Sequence, residues 1–285
     1  MRQYDGLLTE RDLSSYRVFE RKPLTTSFDK YTLLTNPPPS FGGSLIIKAL
    51  RLVEHLSLND FKWGSPQYLL RLAESMRQID TARAGKTSSD LASPDSWYLR
   101  TAATIRSFSR GTTHLSILDQ HGDVASMTTS NGEGSGCMAP DTGIMLNNMM
   151  GEDDLHPEGF HTSPAGIRIS SMMSPSLLLE NGKPALVLGS GGSKRIRTAI
   201  LQVLINVIDF GMDIDTAVLS PRIHWDGEVL QMEPGFPAAS VERLRAVMPV
   251  NIWSERSMYF GGVHAISNKT GAADPRRGGA WLATV

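Results

Sequence analysis

Gly111 and Thr112 stand where a stretch of small and polar residues gives way to a strand-like alternation. If the bond between them were cut, Thr112 would gain a free α-amine with an ordinary pKa of about 8. That amine could accept the proton of the residue's own hydroxyl, so nucleophile and base would come from one residue. Threonine also begins many strands because of its β-propensity alone, and the pair by itself does not separate the two interpretations.

Gly191 and Gly192 could act on a reacting carbonyl group. They lie in the run GSGGS at 189–193, between a predicted strand and a predicted helix. Glycines in this position either form a tight turn or let backbone N–H groups converge on a developing negative charge. A phosphate loop is disfavoured, because neither G-x-G-x-x-G nor G-x-x-x-x-G-K-[ST] occurs here.

Four further residues could bind the polar ends of a small molecule. Ser170 and Ser171 could bind a carboxylate, although serines before a proline are often turn formers. Glu152 and Asp153 could receive an ammonium group, although neighbouring acids are typical of a solvated loop. Each of these signals is weak alone.

Other catalytic groups are not indicated. Cys137 is the only cysteine, which excludes an internal disulfide framework, and we expect it to be a small buried residue. His114, His224 and His264 lack metal-binding spacing such as H-E-x-x-H and are interpreted as structural. We therefore expect neither a metal nor a cofactor.

Composition favours a small-molecule partner. The 285 residues carry a formal net charge of -1, so no strong field points to nucleic acid or an anionic membrane. The N-terminus lacks the apolar core of a secretory signal, and no apolar run approaches the ~20 residues that span a bilayer. We expect a soluble chain of undetermined compartment, periplasmic or extracellular if an upstream segment carries an export signal.

Mixed helices and strands must position these residues. The predicted elements before the Gly111-Thr112 pair are a helix capped by Thr9, a strand at Tyr31–Thr35, helices near 45–56 and 66–80, and a mobile linker at about 84–95. Those after it are a hairpin over 112–129, a loop at 130–136, a second hairpin turning at Asn181-Gly182, and a helix ending near Phe210. The order predicts an α+β fold without internal repeats.

Seven segments, in order, resemble the γ-glutamyltransferase family. They are residues 112–116 (TTHLS), 142–148 (TGIMLNN), 170–175 (SSMMSP), 189–193 (GSGGS), 201–209 (LQVLINVID), 220–224 (SPRIH) and 271–276 (GAADPR). Upstream, residues 5–9 (DGLLT) and 36–40 (NPPPS) resemble the end of the family's large subunit. The resemblance implies the N-terminal-nucleophile hydrolase fold, a four-layer αββα sandwich that is here incomplete at the N-terminus.

The resemblance also implies a precursor that cuts itself between Gly111 and Thr112. Residues 1–111 would form the C-terminal part of a large subunit, and residues 112–285 the small catalytic subunit. Thr112 would attack a γ-glutamyl carbonyl and hold the acyl group as an ester, with Ser130 beside it. Gly191 and Gly192 would stabilise the oxyanion.

Substrate binding is implied position by position. Ser170 and Ser171 would bind the α-carboxylate of the glutamyl group, and Glu152 or Asp153 its α-ammonium. The role of the family's asparagine after Ser130 would pass to Asn131 or Glu133. The sequence departs from the family pattern where Met149 replaces a polar residue. The family's carboxylate-binding arginine lies upstream of the segments matched here.

These implications give three functional hypotheses. The first is a hydrolase and transferase of γ-glutamyl compounds such as glutathione, with water or amino acids as acceptors. The second is an acylase for glutaryl-type amides, for which Glu152 would have no ammonium to bind. The third is a catalytically silent chain that acts with a separate or missing large-subunit segment.

Overall fold

The computed structural model describes residues 8–83, 111–152, 155–156, 164–268 and 270–284. The predicted linker and Asp153 lie outside these residues. The helices are α1 (Glu10–Ser15), α2 (Gly42–His55), α3 (Pro66–Arg83), α4 (Arg195–Ile208), α5 (Ile214–Leu219) and α6 (Ala238–Arg245). The strands are β1 (Leu24–Phe28), β2 (Tyr31–Thr35), β3 (Thr112–Leu118), β4 (Val124–Ser130), β5 (Ser176–Glu180), β6 (Lys183–Gly191), β7 (Ile223–Trp225), β8 (Leu230–Met232), β9 (Val250–Ile252), β10 (Gly262–Ile266) and β11 (Gly271–Ala272).

Local sequence signals account for several elements. At α1, the Thr9 hydroxyl accepts from Asp12 N–H at 3.3 Å and the Asp12 carboxylate accepts from Thr9 N–H at 2.8 Å, which confirms the predicted capping box. Asn181 and Gly182 have φ of 51° and 77°, the left-handed pair that a tight hairpin turn between β5 and β6 requires. Helix α2 begins at Gly42, earlier than the predicted start.

A six-stranded antiparallel sheet forms the centre of the molecule. Its order is β1-β2-β5-β6-β10-β11, so strands from both sides of Gly111 share one sheet. Helices α2 and α4 pack on this sheet, with α3 against α2, and their apolar faces join the sheet's inner side chains in one core. Because α4 is buried along most of its length, the strand–turn–helix unit around Gly191 is held firmly.

The β3–β4 hairpin stacks on the sheet beside β6 and β10, as a second β layer. Its face toward the sheet is polar, with Thr112 and His114 both buried. Its outer face is apolar, with Leu115 and Ile117 each 49% exposed and Met127 53% exposed. The predicted hairpin is thus present. Its alternating apolar residues Leu115, Ile117 and Met127 point away from the described core.

Two other findings concern expectations from composition. Cys137 is exposed, which makes the expectation of a buried cysteine wrong; it lies in the turn-rich loop that follows β4, away from the packed core. Among the described residues, no helix has the length and apolar character needed to cross a bilayer. The same residues contain no group of three or more His, Cys, Asp or Glu side chains suited to a metal ion.

Candidate active site

Thr112 and Ser130 face each other at the open end of the hairpin. Thr112 begins β3, Ser130 ends β4, and the two are directly paired. Their hydroxyl oxygens are 2.8 Å apart, and Ser130 Oγ also accepts from Gly132 N–H at 3.1 Å. The Thr112 side chain is therefore held in one orientation by a partner that is itself fixed to the backbone.

His114, two residues along β3, is already fully engaged. Its Nδ1 lies 2.8 Å from the Thr128 hydroxyl and its Nε2 lies 2.8 Å from the Ser116 hydroxyl. Burial, with a smaller contribution from His264, lowers the pKa of His114 to about 4. It is thus a neutral ring between the sheets with no free nitrogen for Thr112.

The glycine pair lies against the backbone of Thr112. A Cβ on Gly191 would lie 2.6 Å from the Thr112 carbonyl oxygen, so only glycine allows β6 to approach β3 this closely. Gly192 has φ of 132°, a conformation that favours glycine, and a Cβ there would lie 2.8 Å from the Cα of Gly261. The fold therefore brings Gly191 to the backbone of the predicted nucleophile, whereas Gly192 packs against Gly261.

A pocket opens on Thr112, with about 230 Å³ of space including its mouth. Its polar lining is Thr112, Ser130, Glu152, Ser171 and Ser193. Its apolar lining is Met149, Leu155, Met172, Met173 and Ile196. The apolar members were not assigned from the sequence, although Met172 and Met173 lie inside a recognised motif and Met149 marks a departure from one.

The proline-rich segment near residue 38 positions one wall of this pocket. Ser40 Oγ donates to the carbonyl oxygens of Ser171 at 3.1 Å and Met173 at 2.6 Å. Phe41 N–H donates to the same Ser171 oxygen at 2.8 Å. The wall formed by Ser171, Met172 and Met173 is thus fixed by residues preceding Gly111.

The other predicted binding residues have distinct places. Ser170 Oγ donates to the carbonyl of Leu155 at 3.1 Å, and Ser170 is outside the set that lines the pocket. Asn131 lies beside Gly111, to whose carbonyl oxygen its N–H donates at 3.2 Å. Glu133 forms an isolated bridge with Asn131. Asp153 cannot be placed.

Arg277 is a cation beside the glycine pair that sequence reasoning missed. Its side-chain stem crosses Gly262, where a Cβ would lie 2.7 Å from Arg277 Cγ. Its Nη1 lies 3.3 Å from the place that a Cβ on Gly191 would occupy. Burial, reinforced by repulsion from Arg195, lowers the pKa of Arg277 to about 10, so the group is still charged at neutral pH.

A buried ion-pair network anchors the turn that carries Arg277. Asp274 caps the 3₁₀ turn Pro275–Arg277 and pairs with Arg222 at 2.7 Å and Arg276 at 3.2 Å. Arg276 also pairs with Glu233 at 2.5 Å. Burial alone would raise the pKa of Asp274, but the two arginines outweigh it and hold that pKa below its ordinary value.

Comparison with known proteins assigns the family. A family model described as gamma-glutamyltranspeptidase matches residues 1–284. The chain belongs to this family. Among curated relatives, the acylase ACY 1 proenzyme of a Pseudomonas strain is 31% identical, over 98% of this chain and 54% of its own length. The glutathione hydrolase proenzyme of Escherichia coli is 29% identical, over 86% of this chain and 49% of its own length. The chain thus spans about half the length of these relatives.

Solved structures of gamma-glutamyltranspeptidases and an acylase confirm the predicted fold. A cephalosporin acylase from Bacillus halodurans aligns with a TM-score of 0.77 at 23% identity, covering 99% of this chain and 57% of its own. A mutant gamma-glutamyltranspeptidase from Helicobacter pylori aligns with a TM-score of 0.51 at 34% identity, covering 57% of this chain and 99% of its own. The chain has the α+β architecture of the N-terminal-nucleophile hydrolases, and its relatives are hydrolases and transferases that include glutathione hydrolases and acylases.

Proposed function

We propose that the chain carries the catalytic centre of an amide hydrolase and acyltransferase whose nucleophile is Thr112, exposed by cleavage after Gly111. One observation carries the proposal. The Thr112 hydroxyl is fixed 2.8 Å from Ser130 at the mouth of a pocket, with Gly191 against the residue's own backbone. A buried threonine placed in this way is difficult to explain as a purely structural strand residue.

The reaction follows from these groups. After cleavage, the α-amine of Thr112 takes the hydroxyl proton while the oxygen attacks the substrate carbonyl. The N–H groups of Gly191 and Gly192 stabilise the oxyanion, and the loss of one such donor typically costs about 10²–10³-fold in rate. Water or the amine of an amino acid then releases the acyl group from the Thr112 ester.

A γ-glutamyl compound such as glutathione is the first substrate candidate. Ser171 and Glu152 both line the pocket. In this proposal they bind the α-carboxylate and the α-ammonium of a glutamyl group. Ser170, Asn131 and Asp153 are assigned to the same end of the substrate by the family resemblance alone.

A glutaryl-type acyl group is the second candidate, and a specific observation favours it. Met149 lines the pocket where the family has a polar residue, and its thioether cannot supply the acceptor that an ammonium requires. The acylase ACY 1 proenzyme is as similar to this chain as the glutathione hydrolase proenzyme of Escherichia coli is.

We include a polypeptide partner in the proposal. The outer face of the hairpin is apolar and exposed to solvent at Leu115, Ile117 and Met127. A contiguous exposed apolar surface of this kind is typical of a site that binds another polypeptide. A large-subunit segment, either part of a longer chain or a separate one, would be that polypeptide. A chain that stays silent without that segment remains the third hypothesis.

The test begins with intact-mass spectrometry of the purified chain, alone and with the upstream segment of a close relative. We expect two fragments split at Gly111-Thr112. Thr112→Ala should abolish the split, whereas Thr113→Ala, on the exposed neighbour, should leave it. A single mass in every sample would refute self-processing and support the silent-chain hypothesis.

Substrate choice is then measured on cleaved protein with γ-glutamyl and glutaryl anilides, which differ only in the α-ammonium. Met149→Gln restores a hydrogen-bonding group at the apolar wall and should raise kcat/KM for the γ-glutamyl anilide relative to the glutaryl one. An unchanged ratio would show that Met149 does not contact the acyl group.

A further inference from the structure

The carbonyl group of the bond to be cut already has a hydrogen-bond donor. Gly111 O accepts a hydrogen bond from Asn131 N–H at 3.2 Å. This bond extends the pairing of β3 and β4 by one residue beyond the terminal pair Thr112 and Ser130. Asn131 is itself held, since its carbonyl accepts from Asn148 N–H at 2.8 Å and from Gly134 N–H at 3.1 Å. The donor is therefore fixed before any reaction begins.

Gly191 faces a different carbonyl. Gly191 lies against the oxygen of Thr112, on the C-terminal side of the nucleophile, whereas Gly111 O lies on its N-terminal side. The two carbonyl groups that flank Thr112 thus meet separate parts of the fold. One set of backbone groups belongs to the end of the hairpin and the other to the β6–α4 turn.

We propose that the chain has two oxyanion sites, with Asn131 N–H serving self-cleavage and Gly191-Gly192 serving the substrate. This inference rests on the proposed function, because it assumes that Thr112 attacks both carbonyls. A donor aimed at the oxygen on which negative charge develops stabilises the intermediate at that position only.

The self-cleavage step balances without an outside reagent. Thr112 Oγ bonds to the carbonyl carbon of Gly111, and its proton passes through the Ser130 hydroxyl to the Thr112 nitrogen. The Gly111 oxygen carries the negative charge, facing Asn131 N–H. The C–N bond then breaks as the carbonyl re-forms, and water hydrolyses the resulting ester to a Gly111 carboxylate and a free Thr112.

Gly111 itself is required by this geometry. A Cβ on it would lie 1.8 Å from the Gly132 carbonyl oxygen and 2.2 Å from Asn131 Oδ1. Any side chain must therefore push residue 111 away from Asn131, and its carbonyl moves off the donor. The site thus accounts for the identity of the residue before the nucleophile.

The direct test replaces Asn131 with its α-hydroxy acid counterpart, which turns the N–H into an ester oxygen and keeps the side chain. The rate of Gly111-Thr112 cleavage, followed by intact mass, should fall about a hundredfold. The same replacement at Gly122, whose N–H donates to Asp119 O at 3.2 Å in the turn at the far end of the hairpin, is the matched control and should change the rate by less than about threefold.

Gly111→Ala tests the same site from the acceptor side and guards against misfolding of the ester variant. We expect slowed cleavage. Gly136→Ala adds backbone strain at a φ of 74°, but its Cβ would meet nothing within 4 Å, so this control should cut at nearly the parental rate. Gly192→Ala should reduce the rate of anilide turnover by a larger factor than it reduces the rate of Gly111-Thr112 cleavage. Parental cleavage rates in both the Asn131 and Gly111 variants would overturn the two-site inference while leaving Thr112 as the nucleophile. A parental chain that stays uncut both alone and with the upstream segment would refute both proposals.

Discussion

Replacing Arg277 with methionine should move the acid limb of the pH–rate profile upward. In the proposed mechanism the cleaved chain needs the α-amine of Thr112 unprotonated, so activity is present above the pKa of that amine and is lost as pH falls through it. A neighbouring cation disfavours the ammonium form and lowers this pKa. Removing the cation therefore raises the pKa and shifts the acid limb to higher pH.

The size of the shift follows from the contacts around Gly191. A Cβ built on Gly191 would lie 3.3 Å from Arg277 Nη1 and 2.6 Å from the Thr112 carbonyl oxygen. Arg277 Nη1 therefore lies within about 6 Å of the Thr112 carbonyl oxygen. Two like charges roughly 7 Å apart repel by about 2 kcal/mol at an effective dielectric constant of about 20. After a discount for the partial exposure of Arg277, we expect a shift of about one pH unit.

The assay is kcat/KM for the γ-glutamyl or glutaryl anilide between pH 5 and 10, on cleaved protein. Arg277→Met should lose about tenfold in activity at pH 6.5 and much less at pH 9, where the amine is neutral in both proteins. Arg277→Lys keeps the positive charge, so the acid limb of its pH–rate profile should lie at the same pH as in the parental protein. A uniform loss at every pH, with the limb unmoved, would show that Arg277 only supports the glycine turn and would refute the electrostatic reasoning.

Three further outcomes are expected. Asp274→Asn leaves Arg222 and Arg276 buried with too little negative charge, so urea unfolding should show a loss of about 3–5 kcal/mol, and a loss below 1 kcal/mol would contradict the network's importance. The pKa of His114 is lowered to about 4 in the folded chain, so the unfolded chain binds the proton first as pH falls. The free energy of unfolding should therefore decline from about pH 6.5 to pH 4, and it should decline less steeply in His114→Gln. The same pH dependence in both proteins would refute the lowered pKa of His114. Leu115→Ser, on the outer face of the hairpin, should change the stability of this chain by less than about 0.5 kcal/mol but weaken capture of an added large-subunit segment, as measured by co-purification, and equal capture would locate that contact elsewhere.

The sequence predicted much of the site because its local signals are strong. Alternation over 112–129 with a central turn predicts a hairpin whose two ends lie side by side. The pairing of Thr112 with Ser130 follows almost directly from that pattern. The turn at Asn181-Gly182 likewise determines β5 and β6. What could not be read was the stacking of one sheet on another, which depends on side-chain packing between distant segments.

That stacking decides which groups join the site. Arg277 reaches Gly191 only because β10 pairs with β6 and the buried ions hold its turn. The methionines reach the pocket only because Ser40 holds their loop. Apolar alternation also gave no warning that Leu115 would face outward, since periodicity identifies two faces of a strand without saying which one meets the core.

The same residue, Thr112, faces opposite electrostatic requirements before and after cleavage. In the uncut chain its nitrogen is an amide, which cannot be protonated at ordinary pH, so the charge on Arg277 has no amine to act on. In the proposed self-cleavage, the hydroxyl proton instead passes through Ser130 and Asn131 N–H stabilises the oxyanion. Once the bond is cut, the nitrogen becomes the base and the cation beside it sets the pH range in which it works. Arg277→Met should therefore alter the pH dependence of turnover while leaving that of self-cleavage in place, a contrast that a purely structural role for Arg277 would not produce.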